Sequence, residues 1–224
     1  SFEESRDDRP LPGYDTPPHV TSSYTTSLDA TPNPAGRRES PPTPEHAVTA
    51  RHIYVDESKQ RHYLLVASVH ISTDLTDLRG VVRSLLLPGQ RYLHMKDEKD
   101  GRKRTIAQAF VDAGVQATVY RAGPQHRNER ERRSACLKAL VQDHASASTV
   151  RLVFDEDETM VSFDNQRMIE YTRAAGCRQT LSYEHKQSHA DALLAIPDAI
   201  AWCWAKGGTW RKLIAPAVVA THDV

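Results

Sequence analysis

The sequence predicts an α/β fold built on a mixed sheet, preceded by a proline-rich tail. Two observations carry this prediction. Two β-branched and aromatic runs, residues 51–56 and 62–71, are separated by only five residues, and helical and strand-like patterns alternate after them. A short connection between strands is typical of an antiparallel hairpin, whereas helical crossovers favour parallel pairing. The pattern therefore predicts one sheet containing both kinds of pairing, with helices on both of its faces.

The first 48 residues differ in composition from the rest of the chain. Nine of the 13 prolines lie before residue 46, among Ser, Thr and Asp. Such a segment has few apolar groups whose burial would offset backbone ordering. We therefore predict a disordered tail or linker over residues 1–48 and a folded domain over residues 49–224. The spacing of Pro41 and Pro44 also allows a protein partner with an aromatic groove.

The elements of the domain follow from periodicity. Apolar residues between 75 and 86 recur at spacings of three and four, which predicts an amphipathic helix ending before Pro88-Gly89. The remaining pattern predicts helices over residues 103–113, 128–144 and 164–175, strands over 115–120, 150–154 and 178–183, and a final helical region over 190–206.

Charge and cysteine content exclude several classes of protein. Residues 1–49 hold 4 Arg against 8 acidic residues, so the rest of this neutral chain is mildly basic and allows a nucleic-acid partner without requiring one. No apolar stretch approaches the roughly 18 residues of a membrane span, and the acidic start lacks the pattern of a secretory signal. The three widely spaced cysteines predict reduced, buried thiols and a cytoplasmic location. They are Cys136, Cys177 and Cys203.

Carboxylates stand at three related positions of the predicted fold. Asp56 and Glu57 end the first strand, Asp155 opens the acidic run after strand 150–154, and Asp198 interrupts an apolar helix. Ligands of open α/β sheets gather at the carboxyl ends of strands. Carboxylates that meet there repel one another unless a cation is present, and Mg²⁺ or Mn²⁺ prefers oxygen ligands. The alternatives are a solvated acidic loop and a helix-dipole role for Asp198 in a first turn.

Short motifs around these positions resemble a bacterial family called domain of unknown function 3800. Residues 54–58 read Y-V-D-E-S and precede an apolar strand, similar to that family's Y-x-D-E-S-G opening. The Leu-His pair ending at His94, with acidic residues just after it, is similar to the family's second motif. Ser188 stands ten residues before Asp198 in an apolar helix, similar to the family's ending. The resemblance spans roughly residues 51–215 in matching order.

The resemblance implies a ribonuclease H-like fold with carboxylates on the first strand, a middle strand and the last helix. Asp56, Asp155 and Asp198 match those positions as metal ligands. The implied function is phosphodiester hydrolysis by a nuclease that uses Mg²⁺ or Mn²⁺. Two positions depart from the family pattern, Lys59 in place of Gly and Pro197 just before the final Asp. They leave open an alternative, a catalytically inactive binding module of the same fold, and a homodimer is also left open.

Four further residues are candidates for the same site. Glu57 is predicted as an added ligand or as support for one. His94 is predicted as an acid–base group or phosphate contact, because imidazole titrates near neutral pH. Lys96 and Ser188 are predicted to contact nucleic acid, Lys96 at a phosphate. Ser188 is also predicted to hydrogen-bond within the site or to cap the last helix.

Three other patterns have both functional and structural interpretations. Trp202, Trp204 and Trp210 are compatible with base stacking, although core or dimer contacts are the more common use of such residues. The alternating charges of residues 127–133 are typical of a solvated helix face. The alternative is a phosphate-tracking surface, which would contact successive phosphates of a nucleic acid. His185 and His189 have a helical zinc-ligand spacing but no further ligand pattern around them.

Overall fold

The computed structural model describes residues 50–60 and 62–224, so the predictions for the tail lie outside the described residues. The strands are β1 (Arg51–Ser58), β2 (Tyr63–Ile71), β3 (Gln116–Ala122), β4 (Val150–Asp155), β5 (Leu181–Lys186) and β6 (Val218–Asp223). The helices are α1 (Leu75–Ser84), α2 (Asp100–Asp112), α3 (Glu129–His144), α4 (Val161–Ala174), α5 (Ala195–Lys206) and α6 (Gly208–Ile214). Short 3₁₀ turns occupy Met95–Asp97, Ala192–Leu194 and Ala215–Ala217.

The strands form one six-stranded mixed sheet in the order β5-β4-β1-β2-β3-β6. β1 and β2 form the predicted antiparallel hairpin, whereas β4 lies parallel to β1 and β5 lies parallel to β4. Helices cover both faces of the sheet. The predicted α/β fold class, with a mixed sheet that begins with an antiparallel hairpin and helices on both of its faces, is confirmed.

Side-chain alternation along the central strands separates two apolar cores. Tyr54 and Val66 face the core formed with α1, α2, α5 and α6, whereas Val55 and Leu65 face the core formed with α3 and α4. Successive side chains of a strand point to opposite faces. Neighbouring residues of β1 therefore face different sets of helices. This alternation decides which carboxylates lie on the same face of the sheet.

Two features of the sheet differ from the prediction. The alternation of helices and strands favoured parallel pairing, but β3 lies antiparallel to β2. Two helices, α1 and α2, connect these strands. The chain therefore runs along the sheet and back, and β3 begins beside the end of β2. The second difference is β6, which pairs parallel to β3 and was not predicted. Its apolar pattern is short, and its burial alternates only weakly.

The strand predicted over residues 178–183 begins three residues later, at Leu181. A turn after α4 delays it, because the amides of Thr180 and Leu181 both donate to the carbonyl oxygen of Cys177, at 3.1 and 2.9 Å. The shift matters for the site, since it carries β5 through His185 to Lys186 alongside the end of β4.

The three cysteines are buried free thiols, as predicted. None of the described helices combines the length and the apolar character needed to cross a membrane.

Candidate active site

Asp56 and Asp155 lie at the carboxyl ends of neighbouring parallel strands, β1 and β4. Two residues earlier on each strand, Tyr54 and Val153 belong to the core that packs against α5. Because side chains alternate along a strand, Asp56 and Asp155 project toward that same face. The sheet therefore delivers two carboxylates to one edge, beneath the start of α5.

Asp198 completes the group from the first turn of α5. Pro197 precedes it within that turn, where the amide that proline lacks has no partner inside the helix, so the departure from the family pattern leaves the helix intact. Oδ2 of Asp198 accepts a hydrogen bond from the amide of Met95 at 2.7 Å. This contact fixes the carboxylate against the turn that follows His94.

Ser188 holds the carboxylate of Asp155. Its hydroxyl lies 2.8 and 2.9 Å from the two carboxylate oxygens and donates to them. Of the two roles predicted for Ser188, the hydrogen bond within the site is therefore the one observed. The helix-capping role was wrong, because Asp191 caps the 3₁₀ turn that leads into α5, accepting from the amide of Leu193 at 3.3 Å.

The three aspartates are close enough to perturb one another. Burial raises the pKa of Asp56 well above its usual range, and neighbouring carboxylates, Asp198 first, raise it further. Burial raises the pKa of Asp198 to about 6, against the opposing effect of His94. Burial also raises the pKa of Asp155, although its hydrogen bonds oppose the shift. The site therefore concentrates negative charge that the fold itself does not neutralise.

The donor set fits a hard cation, although the carboxylates are not drawn together into a centre. Within the part of the chain that the structure describes, no three Asp, Glu, His or Cys side chains are gathered tightly enough to hold a metal ion. Asp56 uses Oδ1 to accept from the amide of Glu57 at 2.7 Å, and Asp198 uses Oδ2. Each retains one carboxylate oxygen with no hydrogen-bond partner among the described residues. Carboxylate oxygens of this kind suit Mg²⁺ or Mn²⁺, and a cation would have to draw them closer.

A cleft of about 500 Å³ opens beside Asp155, with His94 and Ser188 in its wall. His94 is half-buried, and its positive form would lower the pKa of both Asp155 and Asp198. Lys96 is exposed on the 3₁₀ turn next to Met95. The structure thus brings His94 to the aspartates and leaves Lys96 at the rim.

Glu57 lies on the opposite face of the sheet from the three aspartates. It pairs across the hairpin with Leu65, which faces α3 and α4. Its carboxylate binds Nη1 of Arg133 at 2.8 Å. The ammonium of Lys59 lies 3.5 Å from Glu57 and 3.0 Å from Asp157. Glu57 is therefore placed to support β1 next to Asp56, while its own oxygens are engaged by cations of the chain.

Arg133 anchors a buried network that the sequence analysis missed. Its side chain is 1% exposed, and its guanidinium makes two 2.6 Å hydrogen bonds to the fully buried carboxylate of Asp164. It also donates to the hydroxyl of Tyr63 at 3.0 Å, and His185 contacts Asp164 at 3.1 Å. The solvated-face and phosphate-tracking interpretations of residues 127–133 are therefore wrong for Arg133. A signal was present, because Arg133 opens the buried stripe of α3 at helical spacing. The stripe continues through Cys136, Leu137, Leu140, Val141 and His144.

The two histidines with zinc-ligand spacing point to different places. His185 belongs to β5 and stacks on Phe154, with ring centroids 5.3 Å apart. His189 lies beyond the strand, with its ring 6.4 Å from that of Tyr92 in the cleft wall. A strand replaces the helix that the spacing would require, so this pair does not form a zinc site.

Comparisons with known proteins add little to this geometry. No protein-family model matches the chain, and no curated protein matches it. A chain in a solved structure described as the PCNA:RNase HII complex from Archaeoglobus fulgidus is similar over 70% of this chain and 73% of that chain, with a TM-score of 0.44 and 15% identity. The mixed α/β architecture therefore stands on the strand order and pairing described above.

The raised carboxyl pKa values predict a pH-dependent response to metal. We expect the rise in melting temperature that Mn²⁺ produces to be small near pH 5 and larger near pH 8, because the cation competes with protons at Asp56 and Asp198. In the metal-free protein we expect the melting temperature itself to fall as the pH rises. Groups with raised folded pKa values lose their contribution to stability as the pH rises through about 6. Differential scanning fluorimetry at several pH values measures both. An Mn²⁺ shift that is equal at both pH values would contradict the prediction.

Proposed function

We propose that this protein is a divalent-metal-dependent phosphodiesterase of the ribonuclease H-like class, acting on nucleic acid. The observation that supports the proposal is the convergence of Asp56, Asp155 and Asp198 on one face of the sheet, where burial raises the pKa of each. A stable fold gains nothing from gathering uncompensated carboxylates. A bound cation supplies the missing compensation.

The proposal gives each residue of the site a chemical role. Asp56, Asp155 and Asp198 would hold Mg²⁺ or Mn²⁺, which supplies charge stabilisation and activation of a water for attack on phosphorus. Ser188 orients Asp155, and the amide of Met95 orients Asp198, so that each presents a defined oxygen. These contacts limit the rearrangement needed when a cation enters.

His94 is placed to move a proton at the leaving group. It lies in the wall of the cleft beside Asp155, and imidazole is a common general acid in proteins. The protonated ring can donate to the oxygen that departs from phosphorus, and Lys96 at the rim can contact a neighbouring phosphate. The resemblance to domain of unknown function 3800 supports the same assignment.

A cleavage assay tests the proposal. Fluorescein-labelled single-stranded DNA, single-stranded RNA, duplex DNA and an RNA–DNA hybrid are incubated with the protein in millimolar Mn²⁺, in Mg²⁺, or in EDTA. We expect metal-dependent cleavage of at least one substrate. Loss of several kcal/mol of charge stabilisation should make Asp198→Asn slower by on the order of 10³-fold.

The matched control is Asp77→Asn, because Asp77 is exposed on α1, away from the carboxylates. We expect it to cleave as the parent does. Cleavage that persists in Asp198→Asn, or is absent from the parent with every metal and substrate, would contradict the proposal. The second result would favour the inactive binding module.

A further inference from the structure

The helix face that carries Asp198 continues as an aromatic and basic stripe. Residues four apart on a helix lie one above the other, so Trp202 follows Asp198 after one turn and Lys206 after two. The eight residue steps from Asp198 to Lys206 correspond to about 12 Å along the axis. α6 extends the stripe sideways, because the ring of Trp210 meets that of Trp202 edge-on with centroids 5.0 Å apart. The stripe therefore leads from the carboxylates toward α6.

Cations lie over the two tryptophan rings of this stripe and over the ring of Trp204, which lies on another side of α5. Nζ of Lys103 lies 4.6 Å from the ring centroid of Trp202, and Nζ of Lys206 lies 5.9 Å from it. The same arrangement recurs in the pairs Arg104–Trp210 and Arg211–Trp204, at 4.5 and 4.8 Å. A ring face attracts a cation without neutralising its charge. We call these three tryptophans and four cations the tryptophan strip.

No carboxylate of the described residues neutralises the charge of the tryptophan strip. Among the described residues, none of its four cations has a carboxylate oxygen within 4.0 Å, whereas Lys59, Arg102 and Arg133 all do. From residue 199 to residue 222 the sequence contains no Asp or Glu. Lys103 is only 8% exposed and still has no such partner, although lysines buried to this extent are usually paired. The strip is thus complementary to a polyanion.

We propose that the tryptophan strip binds the phosphate backbone of a nucleic-acid strand and leads that strand to the carboxylates. The path of the nucleic-acid strand toward the carboxylates rests on the function proposed above, whereas the binding of the strand to the tryptophan strip does not. Three clustered aspartates repel a polyanion, so a substrate needs attraction from a neighbouring surface. Ammonium and guanidinium groups of α2, α5 and α6 supply it by binding successive phosphates and releasing counterions.

Binding in EDTA tests the strip independently of catalysis. The probes are fluorescein-labelled oligothymidylate and oligouridylate, and fluorescence anisotropy gives the affinity over a range of salt concentrations. The test variant is Arg104→Gln/Lys206→Gln, because both residues are exposed members of the strip. The control is Lys138→Gln/Arg178→Gln, which removes the same charges from exposed positions outside the strip.

We expect the test variant to bind about tenfold more weakly near 0.1 M salt, and its plot of log K against log salt to be shallower by about 1.4, which corresponds to two phosphate contacts on a single strand. The control variant should match the parent. Melting temperatures verify folding, and Lys206→Arg, which keeps the charge, should retain binding. Equal weakening in the test and control variants, an unchanged test variant, or no binding by the parent would overturn the proposal.

The outcomes separate this proposal from the proposed function. If the parent binds through the strip in EDTA but cleaves nothing in Mn²⁺, the proposal for the strip stands and the proposed phosphodiesterase activity is contradicted. If the parent cleaves, and the Arg104→Gln/Lys206→Gln variant binds and cleaves equally well, the proposed phosphodiesterase activity stands and the proposal for the strip is contradicted. Comparison of the DNA and RNA probes then shows which strand the surface prefers.

Discussion

Asp56→Asn is expected to raise the melting temperature of the metal-free protein at neutral pH and to abolish the additional stabilisation by Mn²⁺. Asp56 has a raised pKa because it is buried and faces Asp198. A carboxyl group whose folded pKa is raised destabilises the fold progressively as the pH rises from the unfolded pKa through the folded one. An amide of the same shape removes the repulsion, which is worth on the order of 1–3 kcal/mol.

The metal-bound state should respond in the opposite direction. A ligand that binds only the folded protein stabilises it by about 2.7 kcal/mol at a concentration 100 times its dissociation constant. The amide oxygen of asparagine carries no negative charge, so Asp56→Asn should lose this gain and the cleavage activity together. The measurement is the melting temperature of the parent and of Asp56→Asn, each with millimolar Mn²⁺ and with EDTA.

Asp77→Asn is again the matched control, with changes within about 0.5 kcal/mol and an Mn²⁺ shift equal to that of the parent. If Asp56→Asn retained the full Mn²⁺ shift, Asp56 would not be a ligand. If it destabilised the metal-free protein by more than the control does, the carboxylate would be satisfied by the fold, and the repulsion inferred from its raised pKa would be wrong.

Sequence patterns predicted the parts of the fold that depend on local periodicity. The β1–β2 hairpin, the stripe of α1 and the helices α2, α3 and α4 all follow from spacings visible within a dozen residues. The two strand-end aspartates could also be placed, because alternation along β1 and β4 carries both side chains to the same face. Their proximity to Asp198 required the additional information that α5 packs on that face.

Contacts between distant segments could not be predicted in this way. The amide of Met95 reaches Asp198 across 103 residues, and no local pattern marks an amide as a hydrogen-bond donor to a particular side chain. Arg133 was hidden for a different reason. Its neighbours Arg130 and Arg132 share its charge, and only the position of Arg133 at the start of an apolar stripe distinguishes it. β6 was missed because its apolar pattern is short and its burial alternates only weakly.

The burial of Arg133 leads to the second large expected effect, on stability. Arg133→Met should destabilise the protein by about 3–5 kcal/mol, because it leaves the buried carboxylate of Asp164 without its guanidinium partner. Methionine has a comparable length and no charge, so the loss reflects the uncompensated carboxylate more than a cavity. Urea denaturation should show a lower midpoint with an unchanged slope.

Two companion variants separate pairing from packing. Arg130→Met removes an exposed guanidinium from the same helix and should change the free energy of unfolding by about 0.5 kcal/mol or less. The double variant Arg133→Met/Asp164→Leu removes both members of the buried pair and should recover a large part of the loss, because a buried ion pair replaced by apolar residues is often neutral or stabilising. A double variant no better than the single would show that packing, or the remaining contacts of Glu57 and Tyr63, carries the effect.

The effect of Arg133→Met should also depend on pH with a definite sign. In the parent, burial alone would raise the pKa of Asp164, but hydrogen bonds from His185 and Arg133 hold it below its usual range. The carboxylate therefore contributes stability that is present above the unfolded pKa and is lost only as the pH falls through the lowered folded value. Without Arg133, burial raises the pKa, and protonation of Asp164 then relieves part of the penalty in acid. The destabilisation should thus be larger near pH 8 than near pH 5, and a loss that is constant over this interval would show that the Arg133–Asp164 pair is not its source.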